Sequence, residues 1–239
     1  MRQVKLNTHI SGKFNTELEN LRNSVLTMGG EVEQQMVDTL RAIKENNAGL
    51  AEKVVLNDLK INSMEVQIDE ECMRIIAKRH PTASDLRLVL TIAKATADIE
   101  RIGDEIERIA KLVTKSHLPL SETIKSSMLS IGEHVVAMMR GTFNAFARQD
   151  ERAAIDVYEQ DNRIDRQYKN LLAFTTQEMQ QHPQMMEDWL EVLWALRSLE
   201  RVGDRCKNIC EYVVYLAGGA DVRHSSLESM QQKLDDLTE

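Results

Sequence analysis

The sequence predicts an all-α protein: six long helices arranged as two tandem, pseudo-repeated three-helix bundles. Two observations carry this. Apolar residues recur every three or four positions along most of the chain, and only three prolines and ten glycines interrupt its 239 residues. A third observation makes it a repeat. "IERIGD" at 99–104 returns as "LERVGD" at 199–204, one hundred residues later and in a corresponding helix.

The first helix is marked by Leu18, Leu21, Val25, Met28, Val32, Met36, Leu40 and Ile43 and ends near "ENNAGL". The second runs from about Ala51 to Lys78 and stops at "RHP", since proline cannot continue the hydrogen-bond ladder. The third follows Pro81, with Thr82 or Ser84 as N-cap, and reaches about Ser116. After "HLPLS" the plan repeats: helices from about Ser121 to Arg148, Glu151 to Gln181 and, past a second stop at "QHP", Met185 to Leu216. The expected units are 1–117 and 118–218, followed by a polar, mobile tail over 219–239.

A net charge of -8 and a pI near 5.4 argue against nucleic-acid binding, which needs a basic face. The start, "MRQVKLNTHISGKF", lacks the apolar run of a secretory signal, and no stretch approaches the ~20 apolar residues of a membrane span, so a cytoplasmic protein without direct membrane insertion is expected. Cys206 and Cys210, at i, i+4, have no third or fourth zinc ligand close in sequence, and core packing is the preferred reading for them. Trp189 and Trp194 are expected in the core or a domain interface, and His80, His117 and His182 at helix ends.

The repeated hexapeptide places Glu100 with Asp104, and Glu200 with Asp204, at the edge of an apolar stripe. With 38 acids in 239 residues, one such pair means little. Duplication raises its weight, as does a second set of oxygens in the preceding helix of each half: Asp58 with Asn62, and Asp161 with Asp165. In a three-helix bundle these helices are antiparallel neighbours. Asp58 and Asn62 lie 23 and 19 residues before Pro81, and Glu100 and Asp104 lie 19 and 23 after it. Around Pro183 the distances are 22 and 18 before, against 17 and 21 after. The two sets should meet. Four oxygen-bearing side chains suit a hard or borderline cation; the competing reading is a solvated salt-bridge face supplied by Arg101 and Arg201.

Four features also give the sequence a family likeness: "FNTELENLRNSVLTMGGEVE", "RHPTASDLRLVL", the two "ER[IV]GD" motifs with "KNICEYVVYL", and "DVRH". Spanning nearly the whole chain, they resemble the PhoU family, accessory and regulatory proteins of bacterial phosphate-specific transport. The resemblance implies paired three-helix bundles, frequent homodimers, and metal ions (magnesium, manganese, iron or zinc) bound through the acidic motifs. Carried over, the ligands are Asp58, Asn62, Glu100 and Asp104 in the first half and Asp161, Asp165, Glu200, Asp204 and Asn208 in the second. Asn62 stands where the second copy has Asp165, and Arg108 where it has Asn208, so the first site is expected to be weaker or to hold fewer ions.

The implied role is negative regulation of the phosphate-starvation response and of uptake, by linking the ATPase subunit of the phosphate ABC transporter to a sensor histidine kinase. No catalysis is implied, and the chain has neither a glycine-rich phosphate loop nor a recognisable nucleophile setting. Two alternatives stand beside this: a metal-dependent hydrolase or storage bundle, whose Glu-x-x-His pairs are missing at these sites, and a plain structural adaptor.

Overall fold

The computed structural model describes residues 12–115, 121–219, 222 and 232. Six helices follow one another: α1 (Gly12–Glu45), α2 (Ala48–Arg79), α3 (Ala83–Val113), α4 (Glu122–Arg148), α5 (Glu151–Gln181) and, after a 3-10 turn over Pro183–Met185, α6 (Met186–Gly218). No strand occurs among the described residues. None of their helices is long and apolar enough to cross a membrane.

The helix ends show the duplication at atomic detail. Between α1 and α2, Asn46 turns left-handed (φ 50°) and Asn47 Oδ1 accepts from the Leu50 N–H at 3.0 Å. Between α4 and α5, Gln149 does the same (φ 52°) and Asp150 Oδ1 accepts from the Ala153 N–H at 3.1 Å. An oxygen at that position satisfies one of the orphan donors of a helix's first turn. His80 and His182 end α2 and α5, donating their N–H groups to Ile76 and Glu178. Thr82 occupies the N-cap of α3, but its hydroxyl makes no capping bond. His117 lies outside the described residues.

In space α2 packs on α1 and α3, and α5 on α4 and α6, while α1, α3, α6 and α4 close a central ring. One continuous apolar core results, running from Phe14 and Leu18 to Val213 and Val222. The expected boundary at 117/118 falls outside the described residues, as does the tail except Gly219, Val222 and Gln232. Val222 is fully buried, so the chain returns to the core inside the segment expected to be a mobile tail. Cys72, Cys206 and Cys210 are buried free thiols, with Cys210 Sγ 3.6 Å from the Thr142 hydroxyl. Trp189 is buried as expected, but Trp194 is 63% exposed, on a side of α6 that no other described helix covers.

The seam between halves is antiparallel and follows a pseudo-twofold axis. Gly29 of α1 receives the Phe143 ring of α4, and Gly132 of α4 receives Leu40 of α1. Between α3 and α6 the seam is polar. Asp98, 2% exposed, accepts from Arg205 (3.2 Å), Asn208 (3.3 Å) and the Tyr212 hydroxyl (2.8 Å). Glu105 accepts from the Ser198 hydroxyl (2.5 Å) and Arg201 (3.1 Å). Removing one partner of such a buried network strands the others. Asp98→Ala is therefore expected to cost about 3 kcal/mol in urea unfolding; a loss below ~1 kcal/mol would mean that the apolar contacts hold the halves together unaided.

Candidate functional site

The groove between α2 and α3 is set by a glycine. An alanine Cβ at position 103 would stand 3.3 Å from Asp58 Oδ1 and 3.3 Å from Ile61 Cγ2, so the bare backbone of α3 is what lets α2 seat its carboxylate there. In the second half the fit is closer still: a Cβ at 203 would stand 2.7 Å from Asp161 Oδ1. This explains the glycine of "ER[IV]GD". Asp58 and Asp161 are 7% and 3% exposed, deeper than the edge position occupied by Glu100, Asp104 and Asp204.

In both grooves the aspartate is half satisfied. Asp58 Oδ2 accepts from the Asn62 amide at 3.1 Å, and Asp161 Oδ2 pairs with Lys207 Nζ at 2.9 Å. Oδ1 of each is buried without a hydrogen-bond partner, as are Asn62 Oδ1 and Glu200 Oε2. An unpaired buried oxygen ordinarily costs ~1–3 kcal/mol. Four orphaned oxygens on residues picked out in the sequence, all of them hard donors, fit a hard cation. Among the described residues, however, no three His, Cys, Asp or Glu side chains stand together as a closed metal-binding group.

Charge in the first groove is poorly compensated. Burial pushes the Glu100 carboxyl up to about 7, helped by Asp104, Glu65 and Asp58. Asp58 is raised by burial, then by Asp104 and Glu107, and Glu65 by burial and Asp69. The second groove has cations of its own: besides Lys207 on Asp161, Arg197 Nη1 lies 2.5 Å from Glu200 Oε1. Burial still raises both carboxyls, but against opposing pull from Lys207 and Arg197. The charge balance is thus the reverse of the ranking expected from Asn62 and Arg108.

Eight of the nine expected ligand residues line the two grooves in the expected register. Asn208 does not. Its amide donates to Asp98 in the α3/α6 seam, and Arg108, its counterpart, turns to Glu105, so neither residue bears on the grooves. The arginines of the hexapeptide also serve the seam: Arg201 bonds Glu105, and Arg101 lies 3.9 Å from Asp98 while its charge still reaches Glu100. Glu65, Asp69, Glu107, Arg197 and Lys207 were missed by motif matching. Extending each acidic stripe by three or four residues reaches them, since Glu65 and Asp69 continue Asp58 and Asn62, and Glu107 and Lys207 follow Asp104 and Asp204.

The elevated Glu100 carboxyl makes stability pH-dependent. The folded chain holds this proton more tightly than the unfolded one, whose glutamate titrates near 4.5, so the penalty grows as pH rises from there through about 7. Glu100→Gln should raise the melting temperature by roughly 2–4 °C at pH 8 in chelator, about 1 kcal/mol after screening, and by progressively less towards pH 5. Thermal scans across that range check it.

With the geometry in place, comparison with known proteins is direct. The family model for the PhoU domain matches residues 25–113 and 128–213, one match per half. The phosphate-specific transport system accessory protein PhoU of Serratia marcescens is 43% identical over 234 residues, covering 98% of this chain and 96% of that protein. The corresponding protein of Escherichia coli K12 is 41% identical, covering 98% and 97%. The crystal structure of PhoU from Pseudomonas aeruginosa superposes with a TM-score of 0.80 at 42% identity, covering 87% of this chain and all of that one. Two domain matches on two matching bundles, with relatives this similar end to end, lead to one conclusion: the chain belongs to the PhoU family.

Proposed function

We propose that this protein is a non-enzymatic negative regulator of phosphate uptake and of the phosphate-starvation response, and that it binds a metal ion through its acidic grooves. The regulatory half of the reading is supported by relatives named as accessory proteins of phosphate-specific transport. Its partners would be the ATPase subunit of the phosphate ABC transporter, a sensor histidine kinase and a second copy of the chain, met in the cytoplasm at the membrane surface. A protein without chemistry of its own acts on such partners by binding one of their states better than another.

The metal half is carried by the orphaned oxygens over Gly103 and Gly203. Asp58, Asn62, Glu100 and Asp104 would hold the ion in the first half. Asp161, Asp165, Glu200 and Asp204 offer four carboxylates in the second, where two of them already engage cations. Magnesium, manganese or iron matches an all-oxygen set better than zinc. A bound ion would neutralise the crowded carboxylates. The chain's own residues do the rest: Gly103 admits Asp58, Asn62 orients it, and the α2–α3 register brings Glu100 and Asp104 to the same opening.

Two measurements test the two halves separately. Manganese at a hundredfold excess over its dissociation constant should stabilise the fold by ~2.7 kcal/mol, a rise of several degrees in melting temperature, and Glu100→Ala with Glu200→Ala should abolish that rise. Deleting the gene should derepress alkaline phosphatase in phosphate-replete cells and the wild-type gene should silence it again; activity that stays low on deletion sinks the regulatory reading.

A further inference from the structure

The two grooves differ by a coordinated set of exchanges. Lys207 Nζ, besides pairing with Asp161, sits 5.1 Å from the Tyr158 ring centroid, and its side chain is 27% exposed. Arg197, besides pairing with Glu200, lies 6.0 Å from the Tyr168 ring. An aromatic face holds a cation in place. The residues in register with Lys207 and Tyr158 in the first half are Glu107 and Val55, and those in register with Arg197 and Tyr168 are Ala97 and Glu65. Each cation of the second groove therefore comes with its own aromatic platform, and the first groove has an acid or an apolar residue at all four places. There Glu107 pairs outward with Lys111 at 2.6 Å, and Asp58 Oδ1 remains buried and unpartnered.

We infer that Lys207 and Arg197 are tethered counter-ions that stand in for a free cation in the α5/α6 groove, so that only the α2/α3 groove takes up a divalent metal ion. This rests on the metal reading above. Lys207 and Arg197 each bind one oxygen of Asp161 and Glu200, and the charge of Asp204 reaches both of them. A doubly charged ion entering beside a fixed ammonium and a fixed guanidinium is repelled by both; in the first groove it meets Asp58, Glu65, Glu100, Asp104 and Glu107, with Arg101 and Lys111 at the margin. The duplicated site thus has one half open to the ion and one half closed by the chain itself.

Equilibrium dialysis of the full chain against manganese, with metal counted by elemental analysis and affinity read by calorimetry, tests this. The wild type should bind one ion per chain, Glu100→Gln should bind none, and Lys207→Glu with Arg197→Ala, which copies Glu107 and Ala97, should bind two. Should that double variant fail to fold by circular dichroism, Lys207→Gln, which keeps most of the side chain without the charge, should gain the second ion with weaker affinity. Two ions on the wild type would overturn the inference and leave the metal reading standing. One ion that survives Glu100→Gln, or a count that stays at one in the folded Lys207 variants, would also overturn it. No manganese on the wild type or on any variant would overturn the metal reading and the inference together.

Discussion

The constraint on which the structure turns is the seating of an aspartate against a glycine, once in each half. Asp58 against Gly103 and Asp161 against Gly203 bring the middle and last helices of each bundle closer than side chains there would allow. That approach fixes the register in which Glu100 and Asp104, or Glu200 and Asp204, open beside the aspartate. It also places a carboxylate oxygen deep in the protein with nothing to bond. Stability alone does not favour such an oxygen, since burial without a partner costs more than leaving it in water. The same arrangement occurs twice, in copies whose surrounding residues have diverged.

Duplication poses a second problem, solved at the seam. A pseudo-twofold axis sets position 98 against 205 and position 105 against 198. Had both copies kept an aspartate and a glutamate there, four carboxylates would face one another in a buried layer. The second copy instead carries Ser198 and Arg205, and Asp98 and Glu105 of α3 each find donors on α6. Arg201 of the second hexapeptide points to this seam, whereas Arg101 of the first lies 3.9 Å from Asp98 along its own helix and its charge reaches Glu65 and Glu100 at the margin of the groove. In the second copy the motif therefore does two jobs on opposite sides of a helix: its glutamate and aspartate face the neighbour within the bundle, and Arg201 faces the other bundle.

Divergence then reaches the grooves. The α2/α3 groove concentrates carboxylates with little compensation, which is why Glu100 holds its proton up to about 7, while the α5/α6 groove has drawn in a lysine and an arginine over tyrosine rings. Two halves that match in backbone differ in the charge that their grooves present. On a regulator proposed to sit between transporter and kinase, the inequality gives an otherwise symmetric scaffold a direction.

The sequence by itself determined the six helices, the duplication, and the register that brings Asp58 and Asn62 to Glu100 and Asp104. All of these follow from spacing along a helix and from where prolines break it. Only the tertiary structure decided what lies at the edges of the apolar stripes. Asn208 faces Asp98 and not Asp161, Arg201 serves Glu105, Lys207 enters a groove that its counterpart Glu107 leaves open, and Trp194 stays in solvent while Trp189 is buried. An edge residue can turn either way on its own helix, and the choice belongs to the neighbour. For α6 that neighbour is α3 on one side and α5 on the other, and where those helices lie is a property of the packed bundle that no local spacing contains.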